Sequence, residues 1–170
     1  MEAKKVAQSR TVKAMLVLPQ DSNVLGTMFG GMVMNYIDDI ASISAYRNAR
    51  QQVVTASTDS VDFLYPIKVG HMVCLESFVT WTHKTSMEVY VNIISENLKT
   101  GERKVCASSF LTFVAIDENG RTQEVPPIIP ETDFEKELHK TAPHRFQRRM
   151  ERKTHSKELA KLFPISRLKS

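Results

Sequence analysis

The sequence predicts an α+β fold in which one long central helix is wrapped by a curved antiparallel β-sheet, followed by a basic, mostly helical C-terminal extension. Three observations carry that expectation: an apolar helical stretch over residues 30–47, four long β-type runs after it, and a proline-rich break near residue 125. The first strand is expected at Ala14–Leu18, a short apolar run stopped by Pro19, which cannot continue a ladder. The helix follows, with Met32, Val33, Tyr36, Ile37, Ile40, Ala41 and Ala45 spread around most of its circumference, the pattern of a helix buried in a domain. Runs over Val53–Phe63, Met72–His83, Met87–Leu98 and Lys104–Ile116 are rich in Thr, Val, Ile and aromatic residues, and turn residues such as Pro66, Gly70, Gly101 and Gly120 bound them. Long consecutive strands joined by short turns read as an antiparallel meander. A sheet with one covered face and open edges calls for an oligomer.

The chain has 170 residues, of which 42% are hydrophobic and 25% charged, a balance that excludes wholesale disorder and a fibrous fold. No stretch approaches the ~20 apolar residues of a membrane span, and no apolar segment follows the two lysines of the N-terminus to make a secretory signal. Two cysteines, Cys74 and Cys106, are too few for a disulfide framework, so the chain reads as a reduced, cytoplasmic protein. Charge divides the chain at Val125-Pro126-Pro127-Ile128-Ile129-Pro130. Residues 1–130 carry twelve Lys/Arg against thirteen Asp/Glu, and residues 131–170 carry eleven against six. One compact domain is expected over residues 10–125 and the extension over residues 126–170.

Chemistry concentrates where the loop Asp21–Phe29 meets the helix. Gly30 and Gly31 stand at the helix start, where unpaired N–H groups and the positive end of the dipole favour negative charge. That is what a developing oxyanion at a polarised carbonyl requires; the plainer alternative is two glycines that permit a tight turn. Asp38 and Asp39 interrupt the apolar helix beyond its first turn. Helical spacing sets Asp38 on a face with Gly31, Met34, Ala41 and Ala45, and Asp39 about 100° away. An isolated carboxylate on a buried helix costs several kcal/mol unless a partner or a function retains it. Asp38 therefore reads as the chemical group, and Asp39 as a carboxylate paired with a neighbouring Lys or Arg.

The stretch Asn23-x-x-Gly26-x-x-Phe29-Gly30-Gly31-x-x-Met34-x-x-Ile37-Asp38 resembles the signature of the hotdog-fold acyl-CoA thioesterases of the acyl-CoA hydrolase group. Val61-Asp62-Phe63-Leu64-x-Pro66-Ile67-x-x-Gly70 and Lys84-Thr85-Ser86-Met87-x-Val89 resemble later blocks of the same family in the same order. The resemblance implies Asn23 and Asp38 as the catalytic pair and Gly30 and Gly31 as the helix start facing the thioester. It also implies Thr85 and Ser86 as substrate-binding residues in a loop associated with coenzyme A. Hydrolysis of acyl-CoA to coenzyme A and a carboxylic acid follows, with Asp38 as general base or nucleophile, Asn23 positioning water or carbonyl, and no cofactor.

Gly30 and Asp38 stand roughly 12 Å apart along one helix at ~1.5 Å per residue, too far to serve one thioester. A two-fold dimer with composite sites is expected, as the resemblance also implies, with three such dimers forming the oligomer. Alternatives within the same fold are a non-catalytic acyl-CoA sensor and an acyl-thioester dehydratase. The five histidines are scattered, so no metal site is expected. The basic residues Arg145, Arg148, Arg149, Arg152 and Lys153 lack interleaved aromatics and any nucleic-acid motif. They are expected on a solvated outer helix, with coenzyme A phosphates as the ligand if they bind one, and no nucleic acid.

Overall fold

The computed structural model describes residues 1–164. In chain order it contains β1 (Lys4–Lys5), β2 (Thr11–Leu16), α1 (Gly30–Ala49), β3 (Gln52–Phe63), β4 (Met72–Thr82), β5 (Ser86–Glu96), β6 (Arg103–Ile116), β7 (Ile128–Ile129) and α2 (Asp133–Leu162). Strands β2-β4-β5-β6-β3 form one sheet in that spatial order, and every neighbouring pair is antiparallel. The predicted α+β architecture holds. Strand β2, expected at Ala14–Leu18, starts three residues and ends two residues earlier; its end is set where Leu18 serves as the cap of a 3-10 turn opened by Pro19.

Alternation along the strands explains how the sheet carries two helices. Met87, Val89, Val91 and Ile93 of β5, with Leu111, Phe113 and Ala115 of β6, are buried on the face that receives α1. Val33, Ile37, Ile40, Ala41 and Ala45 supply the helix side of that core. Ile37 and Ile40 are almost wholly buried, each burial being worth roughly 1.5–3 kcal/mol. A hydroxyl cluster lets the helix approach closely: Ser77 Oγ donates to the Ile40 carbonyl at 2.9 Å, and Ser44 bonds both Ser77 and Thr11 at 2.6 and 3.1 Å. These small side chains keep their polar atoms paired where a larger apolar one would push α1 away.

The extension is bound to the domain more tightly than the charge boundary suggests. β1 and β7 pair in parallel, Lys4 with Ile128 and Lys5 with Ile129. Helix α2 then packs on the outer face of the sheet. Arg145 grips Glu88 with Nε and Nη2 at 2.9 and 2.8 Å, and Phe134 meets Tyr90 edge-on at 5.7 Å. Phe146 sits against Trp81 and His83. From Glu151 to Leu162 the helix is exposed throughout, and the last part of the expected extension, residues 165–170, lies outside the described residues. No helix of the described residues is long and apolar enough to cross a membrane.

Candidate active site

The loop before α1 is organised by Asn23. Its Oδ1 accepts from the Leu25 backbone N–H at 2.9 Å, and its Nδ2 donates to Thr27 Oγ1 at 3.0 Å. Gly26 turns the chain with φ +70°, a conformation that favours glycine. The tip thereby holds Val24 and Leu25 fully outward.

The start of α1 is unfinished as a helix terminus. Its N-cap is Phe29, which has no side-chain acceptor, and the first turn contains no acidic residue. The backbone N–H groups of Gly30 and Gly31 meet no acceptor among the described residues. Neither glycine has a positive φ, so a tight turn is not their reason. A Cβ on Gly31 would stand 2.5 Å from the Phe29 ring, whereas one on Gly30 would meet only Phe63 at 3.7 Å, an ordinary contact. Nothing in the chain itself therefore demands a glycine at 30. Beside it opens an apolar cavity of about 360 Å³, bounded by Met28, Gly30, Val33, Phe63, Tyr65 and Ile67.

Asp38 departs from the expectation of a buried carboxylate. It is exposed on the face of α1 turned away from the sheet core, and Thr55 Oγ1 donates to its Oδ1 at 2.8 Å. Helical periodicity shows that one face carries Asp38; it does not show which face the sheet covers. Asp39 is paired as expected, with Lys13 Nζ at 2.9 Å. Asn23 lies on the loop before α1, eight residues back from its second glycine, and nothing in the described residues joins it to Asp38. Thr55 is the residue that sequence reasoning missed. Its only signal is a run of small, mostly hydroxyl-bearing residues, Thr55-Ala56-Ser57-Thr58, inside a longer β-type run.

On the far face of the sheet, α2 and the strands enclose a cavity of about 450 Å³. Ser57, Thr85 and Ser86 line one side, and Phe146, Arg149 and Arg152 the other, with Lys153 at the rim. Arg152 is also held by Asp59 and by Ser57 Oγ. Arg149 stacks on Phe146, and its burial lowers its pKa while Asp59 and Glu88 oppose that shift. The structure thus brings the two predicted loop residues, Thr85 and Ser86, together with the basic helix. Burial pushes both thiols, Cys74 and Cys106, above the ordinary cysteine range, which leaves them protonated at neutral pH. No group of three or more His, Cys, Asp or Glu among the described residues is placed to hold a metal ion.

A model of the thioesterase superfamily matches residues 25–102. An uncharacterized acyl-CoA thioester hydrolase of Bacillus subtilis is 56% identical over 153 residues, which is 90% of this chain and 89% of that one. Among solved structures, an acyl-CoA hydrolase of Staphylococcus aureus in complex with butyryl coenzyme A, coenzyme A and coenzyme A disulfide superposes with a TM-score of 0.90 at 44% identity, covering 94% of this chain and 98% of that one. A hexameric acyl-CoA thioesterase gives 0.88 at 51% identity over 89% and 97% of the two chains. Structures also exist of the S. aureus enzyme with an asparagine, an aspartate or a threonine changed to alanine. In its own numbering these are spaced fifteen and then seventeen residues apart. Asn23, Asp38 and Thr55 have the same spacing here.

Proposed function

The chain belongs to the acyl-CoA thioester hydrolases of the thioesterase superfamily and hydrolyses acyl-CoA to coenzyme A and a carboxylic acid; we propose that it does so at sites built between two copies of the chain. The carrying observation is the pair Asp38–Thr55, which stands exposed beside the outer edge of β3, a strand with a neighbour on one side only. Met34, Tyr46, Val54, Phe63 and Leu64 are exposed large hydrophobics on the same helix and strand region, and such apolar surface marks an association face. The hexameric relative supports a homo-oligomer. A two-fold dimer places one chain's helix start opposite the other chain's Asp38, and three dimers complete a hexamer.

In that arrangement the free N–H groups of Gly30 and Gly31 receive the thioester carbonyl oxygen, and stabilise the charge that develops on it. Asp38, oriented by Thr55, takes a proton from water as the water attacks the carbonyl carbon. Its alternative route is attack by the carboxylate itself, followed by hydrolysis of the anhydride. The C–S bond then breaks and the coenzyme A sulfur leaves with a proton. Asn23 positions water or carbonyl, using the amide N–H that Thr27 does not occupy. The acyl group extends into the apolar cavity beside Gly30. The phosphates of coenzyme A fit the basic cavity under α2, where Thr85, Ser86, Arg149 and Lys153 offer hydroxyls and positive charge. No metal or redox group has a part in these steps.

The test is complementation. Asn23→Ala and Asp38→Ala, each inactive alone, are unfolded and co-refolded in equal amounts. A mixed dimer then has one site carrying both lesions and one carrying neither, so random pairing restores roughly a quarter of wild-type thiol release. No recovery despite proven subunit exchange would place both residues' action within one chain.

A further inference from the structure

Behind the apolar cavity at Gly30 lies a second, smaller cavity of about 190 Å³, and the two share Tyr65 and Pro66 as a common wall. Its character is different. Lys68, His71 and Lys104 line it together with the amide of Asn97, the hydroxyl of Ser95 and a single carboxylate, Glu102. Neither lysine has a carboxylate within ion-pairing distance among the described residues. Lys104 Nζ is instead held 3.7 Å from the centre of the Tyr65 ring. His71 Nδ1 is bonded to Ser95 Oγ at 3.1 Å. The backbone of the wall is fixed, because Leu64 and Tyr65 N–H groups both donate to the Cys106 carbonyl, at 2.8 and 3.1 Å. Tyr65 thus lines both cavities and carries the Lys104 ammonium over its ring, with Tyr65, Lys68 and Lys104 all exposed.

We propose that the acyl pocket continues past Tyr65 into this cationic chamber, and that the enzyme accepts acyl groups ending in a carboxylate. The proposal rests on the reading above, in which the thioester carbonyl sits at Gly30 and the acyl chain enters the cavity beside it. An alkyl chain fills the first cavity and stops at the aromatic wall. A chain with a terminal carboxylate loses hydration in that cavity and regains favourable interaction only where Lys68 and Lys104 wait without partners. Hydrolysis is unchanged by this; the chamber sets which acyl ends are tolerated.

Purified full-length protein is assayed by thiol release with glutaryl-CoA and pentanoyl-CoA, which share a five-carbon acyl chain and differ at its far end. The readout is the ratio of kcat/KM for the two. Replacing Lys68 and Lys104 together by Met should lower that ratio about fivefold, the scale of solvent-accessible charge pairs, with pentanoyl-CoA kinetics unchanged. The double replacement by Arg should keep the ratio, and added salt should lower it in the wild type and the Arg variant but not in the Met variant. A ratio that falls less than about twofold in the Met variant, or falls equally in the Arg variant, overturns the proposal. Loss of pentanoyl-CoA turnover in the wild type would instead overturn the thioesterase reading, so the two failures are separable.

Discussion

The two helices of this protein begin in opposite ways. The start of α2 carries a side-chain cap: Thr132 Oγ1 accepts from the Glu135 N–H at 3.2 Å, Glu135 Oε2 accepts from the Thr132 and Glu131 N–H groups at 3.0 and 2.7 Å, and Arg10 pairs with Glu135. Such a capping box satisfies two donors at a helix end reciprocally. The start of α1 has Phe29 as cap, no acid in its first turn and two glycines with free N–H groups. One terminus carries a reciprocal side-chain cap and the other carries none, while in both the N–H groups of the first two helical residues meet no acceptor among the described residues. The contrast teaches that an absent cap can be as informative as a motif, because completing it with Ser or Asp would have stabilised the fold.

The largest expected effect lies on the open side of the comparison. Asp38→Ala should reduce kcat by about a hundredfold to ten-thousandfold, the usual worth of a general base. Asp39→Asn, which breaks only the exposed pair with Lys13, should be mild. Reversed severity in steady-state kinetics would assign the chemistry to Asp39 instead. Gly30→Ala comes next. The chain has room for the methyl, so Tm should hold, while kcat falls about tenfold to a hundredfold as the carbonyl is displaced. A lower Tm with kcat intact would make Gly30 a packing residue and dissolve the contrast between the termini.

The smallest effect belongs to the closed terminus. Burial pushes the pKa of Glu135 up, but the N–H donors of Thr132 and Glu131 and the Arg10 guanidinium outweigh it, and the net shift is downward. A depressed folded-state value means that the stabilisation is full above the ordinary glutamate range, and disappears as pH falls through the lowered value. Docking of α2 should therefore weaken only below that range. Trp81, the single tryptophan, touches Phe146 of α2 at 5.4 Å between ring centres, so its fluorescence follows docking directly. In Glu135→Gln the acid transition should flatten, with kcat at neutral pH unchanged. An acid transition that survives in this variant would assign it to another carboxylate.

Much of this was legible in the residues. The helix starts at Gly30 as expected, and β3 to β6 begin and end within two residues of the predicted runs, because long alternating patterns between Gly and Pro punctuation leave little freedom. The parallel contact of Lys4–Lys5 with Ile128–Ile129 was not legible, since two paired residues have no period. Asp38 could be set on a helix face, but its exposure depends on which face the sheet occupies. Thr55 looked like any β-branched strand residue until the fold carried it seventeen positions back to Asp38. The charge excess of the C-terminal segment concealed its attachment, because Arg145 and Arg152 read as solvated while each is engaged by a carboxylate of the sheet.

The pair of Glu88 and Arg145 has a consequence for the history of such chains. Glu88 is buried under α2, with Arg145 and the Thr80 hydroxyl, at 2.6 Å, as its partners. Losing the arginine alone strands a desolvated charge and costs about 3–5 kcal/mol, whereas exchanging both residues for apolar ones is close to neutral. A lineage that has acquired the outer helix cannot discard it by one change without a large penalty, although it could do so by two. The ion pair acts as a ratchet: easily kept and hard to undo.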